Sequence, residues 1–251
     1  MPESYVTTKT KNGIATITFF TLEHNALPTA ILLKLEEAFI QAGTDDAVKV
    51  IILKSDGNRT FCAGASFIEL IAIENIADGK VFFMGFAKVI LAMRNCGKII
   101  IARVQGKAVG GGVGLAAAAD YCFATQYASI KLSEISIGIG PFVIAPAVER
   151  KIGNSALTEL TLNAHRFYEP GWANEKGLFH EVFDHTEEMD AAITALAEKL
   201  ASYNPEALKT SKIIFWEKTE NWPKLLEKRA EMSGNLVVSE FTKKALERFG
   251  K

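Results

Sequence analysis

The sequence lacks the residue spacings from which metal sites and disulfide frameworks are built. Its three cysteines, Cys62, Cys96 and Cys122, form no C-x-x-C pair, and its four histidines form neither H-x-x-x-H nor H-E-x-x-H. A structural zinc site is therefore not expected. Because the cysteines are widely spaced and odd in number, they predict reduced thiols and a cytoplasmic location.

Excess charge of one sign and long apolar runs are also missing. The net charge of −1 leaves no broad basic surface, which argues against a nucleic-acid partner. No apolar run reaches the length that crosses a bilayer, and the first residues are polar, unlike a signal peptide. We therefore expect neither nucleic acid nor a membrane as a partner.

The sequence does contain enough apolar residues for a large core, since 49% of its 251 residues are hydrophobic. Patterns typical of strands and helices alternate over most of the chain, and the remainder is helical. This order predicts an α/β core over residues 1–185 and a helical region over residues 186–251.

Local signals predict several element boundaries. Asn12-Gly13 between two β-rich segments predicts a hairpin. Thr29 is predicted to cap the next helix, and Ile40 is placed on the buried face of that helix. Gly153 is predicted to end a helix. Two further helices are predicted over residues 67–75 and 79–95.

Residues 98–141 form the most informative stretch. The β-branched run from Ile99 to Val104 predicts a buried strand, glycines follow as far as Gly114, and residues 115–119 predict a short helix. A strand that passes through glycines into a helix leaves backbone N–H groups free at the helix N-terminus. Such groups suit a negative charge, either permanent or developing in a transition state.

A lone carboxylate, Glu134, follows within this stretch and has apolar and small neighbours. An acid in apolar surroundings has a raised pKa and can act as a general base or acid near neutral pH. An anion-stabilising turn and one desolvated acid together predict an enzyme that acts on a carbonyl compound.

Structural interpretations of the same residues remain open at this point. A run of three glycines is, taken alone, more often a tight junction than a site. The G-x-G-x-x-A pattern that begins at Gly112, with Glu134 about 20 residues later, imitates a dinucleotide fingerprint, and we give this chance match little weight. Asp120 is predicted to be a structural hydrogen-bonding residue at a helix end, and the histidines are predicted to be structural or at the surface.

Four motifs occur in a fixed order along the chain. They are His24-Asn25-Ala26-Leu27, Phe61-Cys62-Ala63-Gly64-Ala65, Gly106 through Gly112, and Leu132-Ser133-Glu134 with Gly138 after it. Together they resemble the crotonase family of enoyl-CoA hydratases and isomerases, over nearly the whole chain. The resemblance implies an α/β fold, a crotonase-like spiral of β-β-α units, with a helical C-terminal region that builds homotrimers or homohexamers.

The resemblance also implies a ligand and a site. The ligand is an acyl-coenzyme A thioester, so coenzyme A is part of the substrate and no other cofactor is expected. The thioester oxygen is implied to lie between the backbone N–H groups of Ala65 and Gly111, with Glu134 as the catalytic acid/base. The coenzyme A groove is implied to include Ala26, Leu27, Ala63 and Gly64.

Two positions depart from the family pattern. Hydratases carry a first glutamate where this chain has Gly114, and a lysine that is frequent in the family is replaced by Ile68. The sequence around Glu134 looks more like the Δ3,Δ2-enoyl-CoA isomerase branch, which works with one glutamate. We therefore predict double-bond isomerisation, with two alternatives: hydration by Glu134 alone, or an acyl-CoA-binding protein with little catalysis.

Residues 67–95 are expected to line an apolar acyl pocket, since they include Phe82, Phe83, Met84 and Phe86. Whether Glu69 or Glu74 from this segment supplies a second proton-transfer group stays open at the level of sequence.

Overall fold

A computed structural model describes residues 3–248 of the chain. The strands are β1 (Tyr5–Lys11), β2 (Ile14–Phe20), β3 (Val50–Ser55), β4 (Thr60–Cys62), β5 (Ile99–Val104), β6 (Lys107–Val109), β7 (Tyr121–Thr125), β8 (Ile130–Lys131) and β9 (Glu181–Phe183). The helices are α1 (Thr29–Thr44), α2 (Phe67–Ile71), α3 (Ile76–Asn95), α4 (Gly111–Ala118), α5 (Ala145–Leu162), α6 (Pro170–Glu175), α7 (Thr186–Ala201), α8 (Pro205–Phe215), α9 (Trp222–Val237) and α10 (Glu240–Glu247).

The strands form two sheets. The larger sheet has the order β1-β2-β3-β5-β7-β9; β1 and β2 are antiparallel, and every later neighbour pair is parallel. Continuous apolar runs such as β5 suit a parallel sheet because both of its faces are covered. One face packs against Met189, Ile193 and Ala197 of α7, and the other contributes to the main core.

The second sheet is small and parallel, with the order β4-β6-β8. Each of its strands follows directly on a strand of the larger sheet, and a helix follows each pair. The chain therefore repeats a β-β-α unit: β3-β4 before α2 and α3, β5-β6 before α4, and β7-β8 before α5. This arrangement confirms the predicted α/β class with β-β-α units.

The helical region after residue 186 packs largely on the chain's own core. Helix α7 covers the larger sheet, α9 lies along α3, and α10 contacts the short 3-10 turn Glu134–Ile137. The contact between α3 and α9 is close, since a β-carbon on Gly79 would lie 2.8 Å from the Cα of Gly234. No helix of the described residues is long and apolar enough to cross a membrane.

Several element boundaries were predicted correctly. The hairpin turns at Asn12 and Gly13, both of which have positive φ angles as such a turn requires. Gly153 interrupts α5 with a φ of 75°, at the predicted break. The strand Ile99–Val104 has the predicted limits.

Other predictions were wrong for local reasons. Pro28, not Thr29, precedes the first turn of α1, and Thr29 is helical. Ile40 is 51% exposed because it lies outside the buried stripe of α1. The helix predicted over residues 67–75 ends at Ile71. The next helix begins at Ile76 rather than at residue 79, because the side chain of Asn75 accepts a hydrogen bond from the N–H of Asp78 and caps it there.

Candidate active site

The three strands of the small sheet end side by side, and each end leads into a candidate functional segment. Residues 63–65 follow β4, residues 110–111 follow β6, and residues 132–134 follow β8. Pairing of Cys62 with Ala108 and of Val109 with Lys131 sets the register. Since the carboxyl ends of neighbouring parallel strands meet at one edge, segments far apart in sequence come together.

A cavity of about 340 Å³ opens at this edge. Its wall includes Ala65, Gly111 and Glu134, the three residues to which the family resemblance gave a chemical role. The glycine segment begins a helix earlier than predicted: α4 starts at Gly111 rather than at residue 115. The cause is Gly110, whose φ of 52° and ψ of −117° turn the chain sharply before the helix.

The N–H group of Gly111 is at the first turn of α4 and has no acceptor within the described residues. Ala65 is in the same situation for a different reason. It forms a parallel bridge with Leu27, in which Leu27 donates to Gly64 O at 2.8 Å and accepts from Ser66 N at 3.1 Å. That pairing uses the groups on either side of Ala65 and leaves its own N–H unpaired within residues 3–248.

The two N–H groups belong to adjacent segments. A β-carbon on Gly64 would lie 3.6 Å from the nitrogen of Gly111 and 3.1 Å from the carbonyl oxygen of Val109. Gly64 also has a φ of +93°, so this close approach depends on glycine. The pair of free donors is therefore a local source of positive potential in a mostly apolar cavity.

Glu134 begins the 3-10 turn, which ends at Gly138 with a φ of 86°. The residue as a whole is half-buried, but its Oε2 atom is enclosed and has no hydrogen-bond partner among the described residues. Burial raises the pKa of Glu134 to about 7, against a smaller opposing effect of hydrogen bonds from the backbone at Glu134 and Ser133. Such a group can take up and return a proton near neutral pH.

Gly110 places the glycine turn directly against this carboxyl group. A β-carbon on Gly110 would lie 2.9 Å from Glu134 Oε1. Any other residue would therefore displace the carboxyl group as well as strain the turn. The free N–H groups and the carboxyl group line one small cavity, an arrangement that suits removal of a proton next to a carbonyl whose oxygen becomes negative.

The sequence profile described as enoyl-CoA hydratase/isomerase matches residues 9–250. The chain belongs to this family. It is the crotonase family that the four motifs indicated, and the protein is an enzyme of it. Acyl-CoA thioesters are the substrates that fit this family.

Individual relatives and structures agree with this assignment. The chain is 27% identical over 238 residues to a probable enoyl-CoA hydratase of Bacillus subtilis, covering 94% of this chain and 92% of the relative. It is 29% identical over 213 residues to the peroxisomal Delta(3,5)-Delta(2,4)-dienoyl-CoA isomerase of Arabidopsis thaliana, covering 78% and 74%. The structure of an enoyl-CoA hydratase from Bacillus halodurans superposes with a TM-score of 0.91 at 22% identity, covering 98% of this chain and 100% of that one. The predicted crotonase fold is confirmed.

The volume beside Gly114, where crotonase-family hydratases carry the first glutamate, is occupied. A β-carbon on Gly114 would lie 2.5 Å from Cγ2 and 2.7 Å from Cβ of Ile144. Ile144 follows the turn at Pro141 and lines the cavity. The space directly beside Gly114 is therefore taken by an apolar side chain.

The predicted coenzyme A residues do not all reach the cavity. Ala26, Ala63 and Gly64 line it, whereas Leu27 is fully buried and serves the bridge to Ala65. The turn before Ala26 is held by Asn25, which accepts from Thr21 N and donates to the carbonyl oxygens of Asp56 and Thr60. The contacts of these residues with coenzyme A stay a prediction.

Residues 67–95 give the cavity an apolar wall, and contact of this wall with an acyl group stays a prediction. Phe82, Phe83 and Phe86 of α3 line the cavity, but Met84 does not. Glu69 and Glu74 are also absent from the lining, and Glu69 Oε2 accepts hydrogen bonds from the N–H and hydroxyl of Thr29 at 2.8 and 2.7 Å. Neither acid is therefore placed to assist Glu134. The only other carboxylate in the lining described by the structure is the exposed Glu23.

Asp120 has the structural role predicted for it. Its carboxylate accepts from the N–H of Ile100 and from Nε1 of Trp216, both at 2.8 Å, and lies 3.1 Å from Lys212 Nζ. His180 accepts a hydrogen bond from the N–H of Cys122, and burial lowers its pKa to about 4. These groups lie outside the cavity lining. No group of three or more His, Cys, Asp or Glu residues able to hold a metal occurs within residues 3–248.

Proposed function

We propose that this enzyme moves a double bond in an enoyl-CoA thioester and uses Glu134 as its single acid/base. The ionised Glu134 carboxylate takes a proton from the carbon between the thioester carbonyl and the 3-double bond. The electron pair of that C–H bond moves into the conjugated system, and the thioester oxygen becomes an enolate oxygen. The protonated Glu134 then returns the proton at the far end of the system, which leaves the double bond at the 2-position.

The N–H groups of Ala65 and Gly111 stabilise the enolate oxygen in this mechanism. Both are fixed before the substrate binds, one by the strand pairing around Leu27 and the other by the start of α4. Preorganised donors of this kind are worth roughly 3 kcal/mol each in the transition state. Coenzyme A enters as part of the substrate, along the segments of Ala26, Ala63 and Gly64, and we propose no additional cofactor.

Two observations together carry this proposal: the cavity holds one enclosed carboxyl oxygen, and there is no room for a second carboxylate at Gly114. Glu134 Oε2 is buried without a partner, and Ile144 fills the space beside Gly114. A hydratase needs an oriented water molecule, since orientation is a large part of the rate. Proton transfer between two carbons of the substrate needs none.

Hydration by Glu134 alone is the alternative, and the relative from Bacillus subtilis named as a probable enoyl-CoA hydratase favours it. The two reactions are separated by incubating the enzyme with a 3-enoyl-CoA and, separately, with a 2-enoyl-CoA. We expect rapid formation of the conjugated 2-enoyl thioester from the first and slow addition of water to the second. Faster hydration than isomerisation would contradict the proposal, as would binding of both thioesters without turnover of either.

We also propose that the enzyme assembles as a homotrimer or a dimer of trimers. Three consecutive apolar residues at the end of α8, Ile213, Ile214 and Phe215, are between 55% and 60% exposed in the single chain. Clusters of this kind mark subunit contacts more often than open surface. A cytoplasmic location is supported by Cys62 and Cys122, which are buried free thiols.

A further inference from the structure

Ser233 of α9 is the one residue of the C-terminal helices that lines the cavity within the described part of the chain. It is 0% exposed, and its Oγ atom has no hydrogen-bond partner. Among the residues of 3–248 that line the cavity, only Glu134 also carries a buried side-chain atom without a partner, its Oε2. The mechanism accounts for the unpaired oxygen of Glu134 but gives Ser233 no role.

An unpaired buried hydroxyl is unusual because almost all buried polar groups have partners. Serine within a helix can satisfy its hydroxyl on the carbonyl four residues earlier, but Ser233 makes no such bond. The backbone of α9 is closely packed at this point, since the next residue, Gly234, lies against Gly79 of α3. The hydroxyl is therefore held at the wall of the cavity at a cost in free energy.

The surroundings limit what can pair with this hydroxyl. Phe82, Phe83 and Phe86 make the neighbouring wall apolar, and no lysine, arginine or histidine lines the cavity in residues 3–248. A negatively charged group would be buried near Glu134 without a counter-ion, which is strongly unfavourable. A plain hydrocarbon chain would leave the hydroxyl unpaired. A neutral oxygen, which can accept from or donate to a serine, meets neither objection.

We propose that Ser233 is a specificity-determining residue that forms a hydrogen bond with a neutral oxygen on the acyl chain. The substrate class is then an enoyl-CoA whose acyl group carries a hydroxyl or keto oxygen beyond the reacting carbons, rather than a plain fatty acyl chain. This inference rests on the proposed function only in that the acyl group occupies the cavity beside Glu134.

Binding of unreactive thioesters tests the inference separately from catalysis. Two sets of saturated acyl-CoA thioesters of equal chain length are compared by titration calorimetry: plain chains, and chains with a hydroxyl or keto oxygen at successive carbons. The wild-type enzyme should bind an oxygenated chain roughly 3- to 10-fold more tightly than the plain chain at one position of the oxygen, the range of a single neutral hydrogen bond.

Ser233→Ala should lose this preference and bind the plain chain at least as well as the wild type. Ser202→Ala is the matched control, since Ser202 is an exposed serine at the end of α7 and does not line the cavity. The control should keep the full preference. Equal binding of plain and oxygenated chains by the wild type, or a preference that survives in Ser233→Ala, would overturn the inference.

Thermal unfolding of the unliganded variant supplies a second readout. Removal of an unpaired buried hydroxyl should leave the melting temperature unchanged or raise it. A clear fall would mean that the hydroxyl already has a partner within the chain, and would also overturn the inference. If a 3-enoyl-CoA were not isomerised while the binding preference depended on Ser233, the proposed function would fail and the role of Ser233 would stand.

Discussion

Ile144 fills the space beside Gly114: its Cγ2 atom lies 2.5 Å from the point where a β-carbon on Gly114 would stand. Gly114 lies within α4 and its φ is not in the left-handed region, so the backbone itself accepts a side chain. Ile144 is therefore the residue that obstructs the first carbon of any side chain at this position.

This relationship predicts that Gly114→Glu will not create a hydratase without a second change. Because both Cβ and Cγ2 of Ile144 obstruct the new side chain, the partner change is Ile144→Gly rather than Ile144→Ala. Gly114→Glu alone should destabilise the fold by roughly 3 kcal/mol or more, since it overpacks the site and buries a charge. The double variant should hydrate a short 2-enoyl-CoA faster than the native enzyme.

The measurements are the hydration rate and the melting temperature of both single variants, the double variant and the native enzyme. The single variant Ile144→Gly is the control, because it opens the space beside Gly114 without adding a carboxylate. The prediction fails if the single Gly114→Glu variant is stable and gains hydration, because Ile144 would then offer no obstruction.

Glu134→Gln should lower isomerase turnover by about two to four orders of magnitude, the usual contribution of a general base. The amide keeps the shape of the side chain but cannot accept the proton, so acyl-CoA binding should change little. Glu23→Gln is the matched control, since Glu23 is the other carboxylate of the described cavity lining but is exposed. Equal losses in the two variants would contradict a single-base mechanism.

The activity should depend on pH through Glu134. Burial raises the pKa of this carboxyl group to about 7, and the mechanism requires its ionised form. The value of kcat/KM, which reports the free enzyme, should therefore rise with pH up to about 7 and then level off. A value of kcat/KM that stays constant from about pH 5 to 8, a range that includes the pKa of Glu134, would show that another group is the base.

The free energy of unfolding should fall with rising pH, whereas the activity rises. The pKa of Glu134 is raised from 4.5 to about 7 in the folded chain, so between these values the folded chain holds a proton that the unfolded chain has lost. The free energy of unfolding should fall by roughly 3 kcal/mol as pH rises through this window. Glu134→Gln should remove that part of the slope, which denaturant titrations at several pH values would detect.

Local patterns in the sequence were sufficient to predict the strand Ile99–Val104, the glycine turn and the buried acid. These features depend on neighbours within a few residues. The small sheet was not predicted, because β4, β6 and β8 are two or three residues long and too short for any periodicity. Yet this sheet is what brings Ala65, Gly111 and Glu134 to one edge.

Long-range packing accounts for what else was missed. A β-carbon on Gly111 would overlap the ring of Phe86 in α3, a contact that local sequence patterns do not reveal. Ser233 and Ile144 also reach the cavity from elements that follow later in the chain. Nothing in the sequence around a serine or an isoleucine distinguishes it as a wall residue of a distant cavity.

Lys212 is expected to be critical for stability although it does not line the cavity. It is 1% exposed, and its Nζ donates to the carbonyl oxygens of Met93 and Lys98 at 2.8 and 2.7 Å beside the carboxylate of Asp120. Lys212→Met should destabilise the fold by about 3 to 5 kcal/mol, because it removes the cation that lies 3.1 Å from the buried Asp120 carboxylate. Denaturant unfolding measures the loss. The exposed Lys209 on the same helix supplies the control variant Lys209→Met, and equal effects of the two changes would contradict the prediction.

Assembly should depend on the end of α8. Ile213 and Phe215 are 60% and 56% exposed in the single chain, and in water such a cluster favours association. Sedimentation at micromolar concentration should therefore give a trimer or a hexamer, and the double variant Ile213→Glu/Phe215→Glu should shift it toward monomer because like charges would face an apolar partner surface. Leu162→Glu is the control. Leu162 is 68% exposed at the end of another helix, α5, but its neighbours in the sequence are polar, so it is not part of an apolar cluster of consecutive residues. A monomeric native enzyme would refute the assembly, whereas a trimer unaffected by the α8 variant would place the subunit contact on a different surface.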